Sequence, residues 1–216
     1  MQPPASKCAA IIGDVIASRG YGDQTRLLEG VADVLAAVNA VTTSRQPLQI
    51  TIGDEFQGAF LDLGTALDAC LQTRLRLVGL CDVRFGIGWG EIVASDPQRA
   101  PMAQSGSAWW AARAALEHAS DATSRQEWPR GTRTWFQGSG HDTDRIVNAF
   151  LLCRDELVTK MDDRAARAAL GLLLGKRQSD LARELGITQP SVSSRQHGSG
   201  AVAVVRAHEI LKGLVP

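Results

Sequence analysis

The chain has 216 residues, enough for one substantial hydrophobic core and a small second unit. Its 23 Lys and Arg are matched by 23 Asp and Glu, a balance that excludes a basic nucleic-acid coat and an acidic-tail protein. The cysteines Cys8, Cys70, Cys81 and Cys153 form no CxxC pair and each lies in an apolar run, and no long apolar span or signal-peptide start is present; the expectation is a reduced, cytoplasmic protein with no membrane segment.

In chain order, residues 7–12 read as an apolar strand ending at Gly13-Asp14, followed by a loop over 15–23 that holds Gly20 and Gly22. Residues 24–41 have helical spacing, with Asp23 placed to cap the helix. Residues 48–61 read as a hairpin, strands 48–52 and 56–61 around a two-residue Gly53-Asp54 turn, with Asp54 and Glu55 adjacent at the tip. A second helix is expected over 63–80, with Leu67, Leu71, Leu75 and Val78 on one face and Arg74 and Arg76 off it. The strand 83–92 carries Gly86, Gly88 and Gly90 at every second place, so one of its faces is bare backbone, open to a ligand or another chain. A loop at 95–104 and an Ala-rich helix at 106–119, bearing Trp109 and Trp110, complete this part. Residues 120–142 are the least readable, with a last strand placed around Trp135 and Phe136; His118 and His141 have no metal spacing and read as ordinary polar residues. Helices are expected over 146–161 and 163–174.

Strand, helix, hairpin, helix, strand, helix is the order of an α/β fold, a ferredoxin-like or palm-like antiparallel sheet with packed helices, followed by a small all-α domain; the division is placed at 1–142 and 143–216. Such a layout brings Asp14 beside Asp54 and Glu55. Three carboxylates at one sheet edge suit a hard cation, Mg2+ or Mn2+, completed by phosphates and water. The loop after Asp14 offers backbone N–H groups to phosphates, with Ser18 and Arg19 beside them. The same residues also fit a solvated hairpin tip and a turn aspartate. Trp109 and Trp110 point about 100° apart on a helix, so at most one faces the sheet fully. Core packing is the first reading for them; the other would stack on a nucleobase or meet a partner subunit. Arg113 follows them by one turn, where a plain surface arginine is equally at home.

The blocks IIGDVIASR (11–19), TIGDEFQGAF (51–60), RFGIGWGEI (84–92) and GSAWWAARAALEHA (106–119) resemble the SatD family. In the same order they are similar to the palm-like domain of class III nucleotide cyclases and diguanylate cyclases. That resemblance implies a purine nucleoside triphosphate bound through two magnesium ions. It implies metal positions at Asp14 and Asp54, with Glu55 as the following acidic residue, and a phosphate-steadying catalytic arginine at Arg113. Val15, Ser18, Arg19, Gly53 and Trp109 complete the nucleotide site so implied, and a homodimer follows from the way cyclases share their sites between chains. Two departures stand out: Trp109 replaces an asparagine, and Thr51 a base-selecting lysine. Binding without cyclisation, or ring-opening of GTP, therefore remains open beside cyclisation.

The second signal is QSDLARELGITQPSVSSR, within a helix-turn-helix placed at 178–197. One short helix ends at a Gly186 turn, and Thr188 caps a second helix with Pro190 in its first turn. Ile187 and Val192 face inward, while Gln189, Ser191, Ser194 and His197 are placed to read bases in double-stranded DNA. Lys176, Arg177, Arg183 and Arg195 are placed for phosphates, Thr188 lies at the same surface, and Arg195 sits where such motifs often bury an apolar residue. Residues 162–216 hold eight Lys and Arg against five Asp and Glu, a basic module behind an acidic one. The last helix, 201–214, is expected to dock or to pair two subunits through Val202, Val205, Ile210 and Leu211. Two functions compete: a DNA-binding transcriptional regulator whose front domain binds a purine nucleotide with a divalent metal, and a metal-dependent enzyme acting on GTP or ATP.

Overall fold

Alternation in the first strand, Lys7–Val15 (β1), sends Ala9 and Ile11 into one core and Cys8, Ala10 and Ile12 into another, so this strand is buried on both faces. The computed structural model describes residues 7–94, 104–125, 127–138 and 140–214. After a 3-10 turn at Ser18–Gly20 come helix Gln24–Asn39 (α1), strands Gln46–Ile50 (β2) and Glu55–Phe60 (β3), helix Leu63–Leu77 (α2) and strand Val83–Glu91 (β4). A two-stranded ribbon pairs Val93–Ala94 (β5) with Gln104–Ser105 (β6). The loop expected between them, residues 95–103, lies outside the described residues. Helix Ser107–Ser124 (α3) and strand Thr134–Gln137 (β7) close the α/β region.

The main sheet has five strands in the order β2-β3-β1-β4-β7. β1 is antiparallel to β3 and β4, β2 is antiparallel to β3, and β7 joins β4 in parallel. The first four strands have the ferredoxin-like arrangement, and the added parallel edge makes the sheet mixed. Asp23 caps α1 by accepting from the Arg26 N–H at 3.0 Å, and Leu27, Val31, Leu35 and Val38 turn inward at helical spacing. Asp62 caps α2 in the same way, at 2.7 Å from the Thr65 N–H.

Three local expectations change. The hairpin turn is longer than two residues: the Thr51 N–H reaches the Glu55 carbonyl at 2.8 Å, Gly53 takes φ 62°, and a bulge separates Gln46 from Gln49. Arg74 is buried at 5%, because α2 is covered on its far side by the C-terminal helices. The glycine face of β4 is filled by this chain's own α3: a Cβ at Gly86 would stand 1.9 Å from the Ala112 carbonyl oxygen and one at Gly88 2.0 Å from that of Ala108.

The remaining chain is helical: His141–Thr159 (α4), Asp163–Leu173 (α5), Gln178–Leu185 (α6), Gln189–Gly198 (α7) and Ala201–Leu211 (α8). α4 belongs to both regions. Its Val147 and Leu151 pack in the sheet core, whereas its Val158 joins Leu71 and Leu75 of α2, Ala165 and Ala169 of α5, and Val204 of α8. The buried face of α8 is Ala201, Val204, Val205 and His208, while Ile210, expected on that face, is 81% exposed. Among the described residues, no helix is long and apolar enough to cross a membrane.

Candidate functional site

Strand register sets the carboxylate edge. Asp14 lies opposite Glu55 on β3 and opposite Arg84 on β4. Residues directly opposite on neighbouring strands share a face, here the side covered by α3. Arg84 grips Asp14 with a planar fork, Nε to Oδ1 at 3.2 Å and Nη2 to Oδ2 at 2.9 Å, and its Nη1 donates to Ser120 on α3 at 2.5 Å. Arg113 reaches down from α3 and binds both oxygens of Glu55 at 2.7 Å. Asp54 turns the other way: its Oδ2 accepts from the Ser18 hydroxyl at 2.5 Å, and its carbonyl accepts from the Val15 N–H at 3.3 Å. Burial raises the Asp14 carboxyl above the usual carboxylate range, Arg84 opposes that, and the charges of Asp54 and Glu55 add to it. The hydrogen bonds to Glu55 raise Arg113 in turn.

The three carboxylates thus come to one end of the sheet, but not around one point. Their oxygens are of the right kind for Mg2+ or Mn2+. As placed, both oxygens of Asp14 and both of Glu55 are held by guanidinium groups, and among the described residues no three of His, Cys, Asp and Glu are grouped to hold one metal ion. The donor set fits a divalent ion only if those pairs open.

Beside Asp54, a cavity of about 240 Å³ is lined by Ser18, Gln24, Leu27, Leu28, Gly53 and Asp54. The loop leading to it holds Ala17 in the left-handed region (φ 55°), the one such non-glycine among the described residues. That conformation costs roughly 1 kcal/mol for a residue with a Cβ. Arg19 belongs to the 3-10 turn, and its side chain lies outside the described set. Trp109 is 7% exposed, packed in the seam with Cys8, Ile12 and Ile92, while Trp110 is 71% exposed on the outer side of α3. Core packing describes Trp109, and the exposed tryptophan of the pair is Trp110.

The helix-turn-helix has α6, a left-handed Gly186 (φ 63°) and α7, with the Thr188 hydroxyl accepting from the Ser191 N–H at 3.4 Å. Leu181, Ala182 and Val192 form its core with Ile187, and Gly171 on α5 leaves the space that Leu181 fills. Gln189, Ser194 and His197 are exposed, whereas Ser191 is half-buried and shares a hydrogen bond with the Thr188 hydroxyl at 2.8 Å. Arg177 is exposed at the start of α6. The other three cations expected at phosphates meet carboxylates: Lys176 meets Glu184 at 2.8 Å, Arg183 meets Asp180 at 3.4 Å and Arg195 meets Asp162 at 3.6 Å.

Two polar clusters escaped the sequence reading. Asp155 is fully buried and binds Arg74 and Arg154 at 2.8 Å each, together with the N–H groups of Arg133 and Thr134. Burial works to raise its carboxyl, but Arg154 and Arg74 outweigh it and hold it low. A signal existed: Leu67, Leu71, Arg74 and Val78 fall on one helical stripe, which places the arginine on the apolar face. The second cluster is Asp68 of α2 with His208 and Lys212, each at 3.0 Å. From the region that was hardest to read, Trp135 stacks on His118 of α3 at 4.0 Å and Trp128 meets both rings edge-on.

Fold and site together define a two-part protein: a ferredoxin-like α/β region with a carboxylate–guanidinium edge, joined to a helical region that contains a helix-turn-helix. Residues 8–215 match the SatD family, and the chain belongs to that family. No curated protein matches it. Among solved structures it is similar to a bacterial light-regulated adenylyl cyclase, with a TM-score of 0.44 and 12% identity, over 56% of this chain. The match spans 42% of that cyclase chain, less than half its length.

Proposed function

We propose that this protein is a DNA-binding regulator whose α/β region takes a purine nucleotide as its input. One observation carries the reading: α7 presents Gln189, Ser194 and His197 to solvent from a capped, Gly-turned two-helix unit packed on α5. Gln suits the edge of adenine, and Ser bonds to several bases. The pairing of Lys176, Arg183 and Arg195 with carboxylates is no obstacle, since exposed ion pairs contribute about 0–1 kcal/mol and exchange readily for phosphate. The input would enter beside Ser18 and Asp54. It regulates only if the nucleotide binds the DNA-competent and DNA-incompetent forms with different affinity.

The test selects duplexes from a random pool with the full chain and then titrates the selected site by gel shift against salt. Four phosphate contacts give a slope of log K against log salt of about −3 to −4. Gln189→Ala should relax the preference at one base position, whereas Arg177→Ala should weaken all duplexes alike. Retention of no duplex at low salt would remove the DNA reading.

The enzyme reading has its own observation, Arg113 beside Glu55 at the edge that holds Asp14. Incubation with ATP or GTP and magnesium or manganese, following bound and converted nucleotide, separates the two. Binding without conversion belongs to a sensor, and steady turnover to an enzyme. Of the three carboxylates that would hold a metal, Asp14 and Glu55 are engaged with arginines and Asp54 with the Ser18 hydroxyl.

A further inference from the structure

We infer that Arg84 and Arg113 occupy the cation places of the Asp14–Glu55 edge, so that this α/β region carries its counter-charge on its own side chains and stands without a divalent ion. The inference deepens the nucleotide reading of the same edge and is independent of the DNA reading.

The placement of Arg84 follows from the backbone. Nine register pairs join β1 to β4, and one of them sets Arg84 against Asp14. The guanidinium can hardly avoid the carboxylate, since both leave the same face of adjacent strands. Its planar fork then takes both oxygens, the strongest form of such a pair. A third anchor, Ser120 on α3, holds the far side of the guanidinium and resists its swinging away. Both partners are largely shielded, at 18% and 25% side-chain exposure, so the attraction is screened less than at an open surface.

Arg113 repeats the arrangement one strand over, from a helix instead of a strand. Two guanidinium groups therefore stand against three carboxylates, and the third, Asp54, is held by the Ser18 hydroxyl. A divalent ion placed on Asp14 would lie within a few ångströms of the Arg84 charge, and the two cations would repel. Binding it requires breaking a two-bond pair as well as dehydrating the ion, and Mg2+ dehydrates reluctantly.

The experiment uses the full chain, with Mn2+ alone as the probe of binding and thermal unfolding in EDTA or in magnesium as the probe of dependence. The wild type should show no saturable Mn2+ binding below the millimolar range and one Tm in both buffers. Arg84→Gln should lower Tm by about 2–4 °C in EDTA. Added Mn2+ should restore it, the ion taking the place that the guanidinium left. Stoichiometric Mn2+ binding by the wild type with a rise in Tm overturns the inference, as does an Arg84→Gln protein whose Tm and Mn2+ binding are those of the wild type. Should Arg84→Gln fail to fold, Arg113→Gln at the more open pair supplies the same comparison, and the wild-type titration decides by itself. Nucleotide binding separates this inference from the reading beneath it. ATP or GTP held in EDTA supports both. Nucleotide held only with magnesium overturns the inference and leaves the nucleotide reading standing. No nucleotide bound, with no Mn2+ bound either, removes the nucleotide reading and supports the inference.

Discussion

A methyl group at Gly88 would lie 2.0 Å from the Ala108 carbonyl oxygen and 2.2 Å from the Ala112 N–H nitrogen, both backbone atoms that no rotamer change can move aside. Gly88→Ala should therefore cost about 3 kcal/mol, read as a lower urea midpoint, because α3 must lift off β4. Gly20→Ala, with nothing within 4 Å of the new Cβ, should leave the midpoint nearly unchanged. The glycine alternation was plain in the sequence, but its partner was not. The helix that fills the bare face begins some twenty residues later, and nothing local says that the close approach is intramolecular. Asp155 gives the opposite lesson. Asp155→Ala would strand Arg74 and Arg154 in a dry interior, and a loss of about 3–5 kcal/mol is expected by chemical denaturation. Its partners lie 81 and 1 residues away in sequence, and only the helical stripe through Arg74 pointed to that burial.

Helices with a capping aspartate and a four-residue apolar rhythm were legible almost to their ends, α1 and α2 most clearly. The rhythm misled where the buried residue is not apolar. α8 turns Ala201, Val204, Val205 and His208 inward, an i, i+3, i+4, i+7 stripe whose last member is a histidine, so a search for large apolar residues rotated the helix toward Ile210. At the carboxylate edge, Asp14, Asp54 and Glu55 were foreseen, but their guanidinium partners required the strand register, which alternation does not supply. The buried histidine has a consequence for pH. Burial lowers the His208 pKa despite Asp68, with Lys212 and Arg154 adding to that direction. The unfolded chain then binds the proton more tightly, so the stability this group contributes is full above about pH 6.5 and is lost as pH falls through that range. Asp68 is also lowered, because its bonds to His208 and Lys212 outweigh burial, but its contribution fails only in the carboxylate range further down. Tm should drop between pH 7 and pH 5, and His208→Gln should flatten that drop. A residual slope is expected from His118, which burial also lowers.

The two regions differ in fold type and have separate cores, but two helices pack in both. α2 contributes to the sheet core through Leu63 and Leu67 and to the helical core through Leu71 and Leu75. α4 crosses between them, and the Asp68 cluster and the Arg74–Asp155 pair join α2 to α8 and α4. A composition change near residue 143 marked a domain boundary in the sequence, but composition records which elements are helices, not which surfaces they bury. A chain joined in this way should unfold as a single cooperative unit. The tryptophans provide an internal check. All five, Trp89, Trp109, Trp110, Trp128 and Trp135, lie in the α/β region, so indole fluorescence follows that region alone. Circular dichroism at the helical band follows α4–α8 as strongly as α1–α3. In urea the two curves should coincide for the wild type. Asp68→Ala removes the shared acceptor of His208 and Lys212 while leaving Leu63, Leu67 and Leu71 in place, and it should shift the dichroism curve to lower urea ahead of the fluorescence curve. Two separated transitions in the wild type would show instead that the regions are held by contacts too weak to transmit a signal. The α/β region could then not govern α7 through the body of the protein.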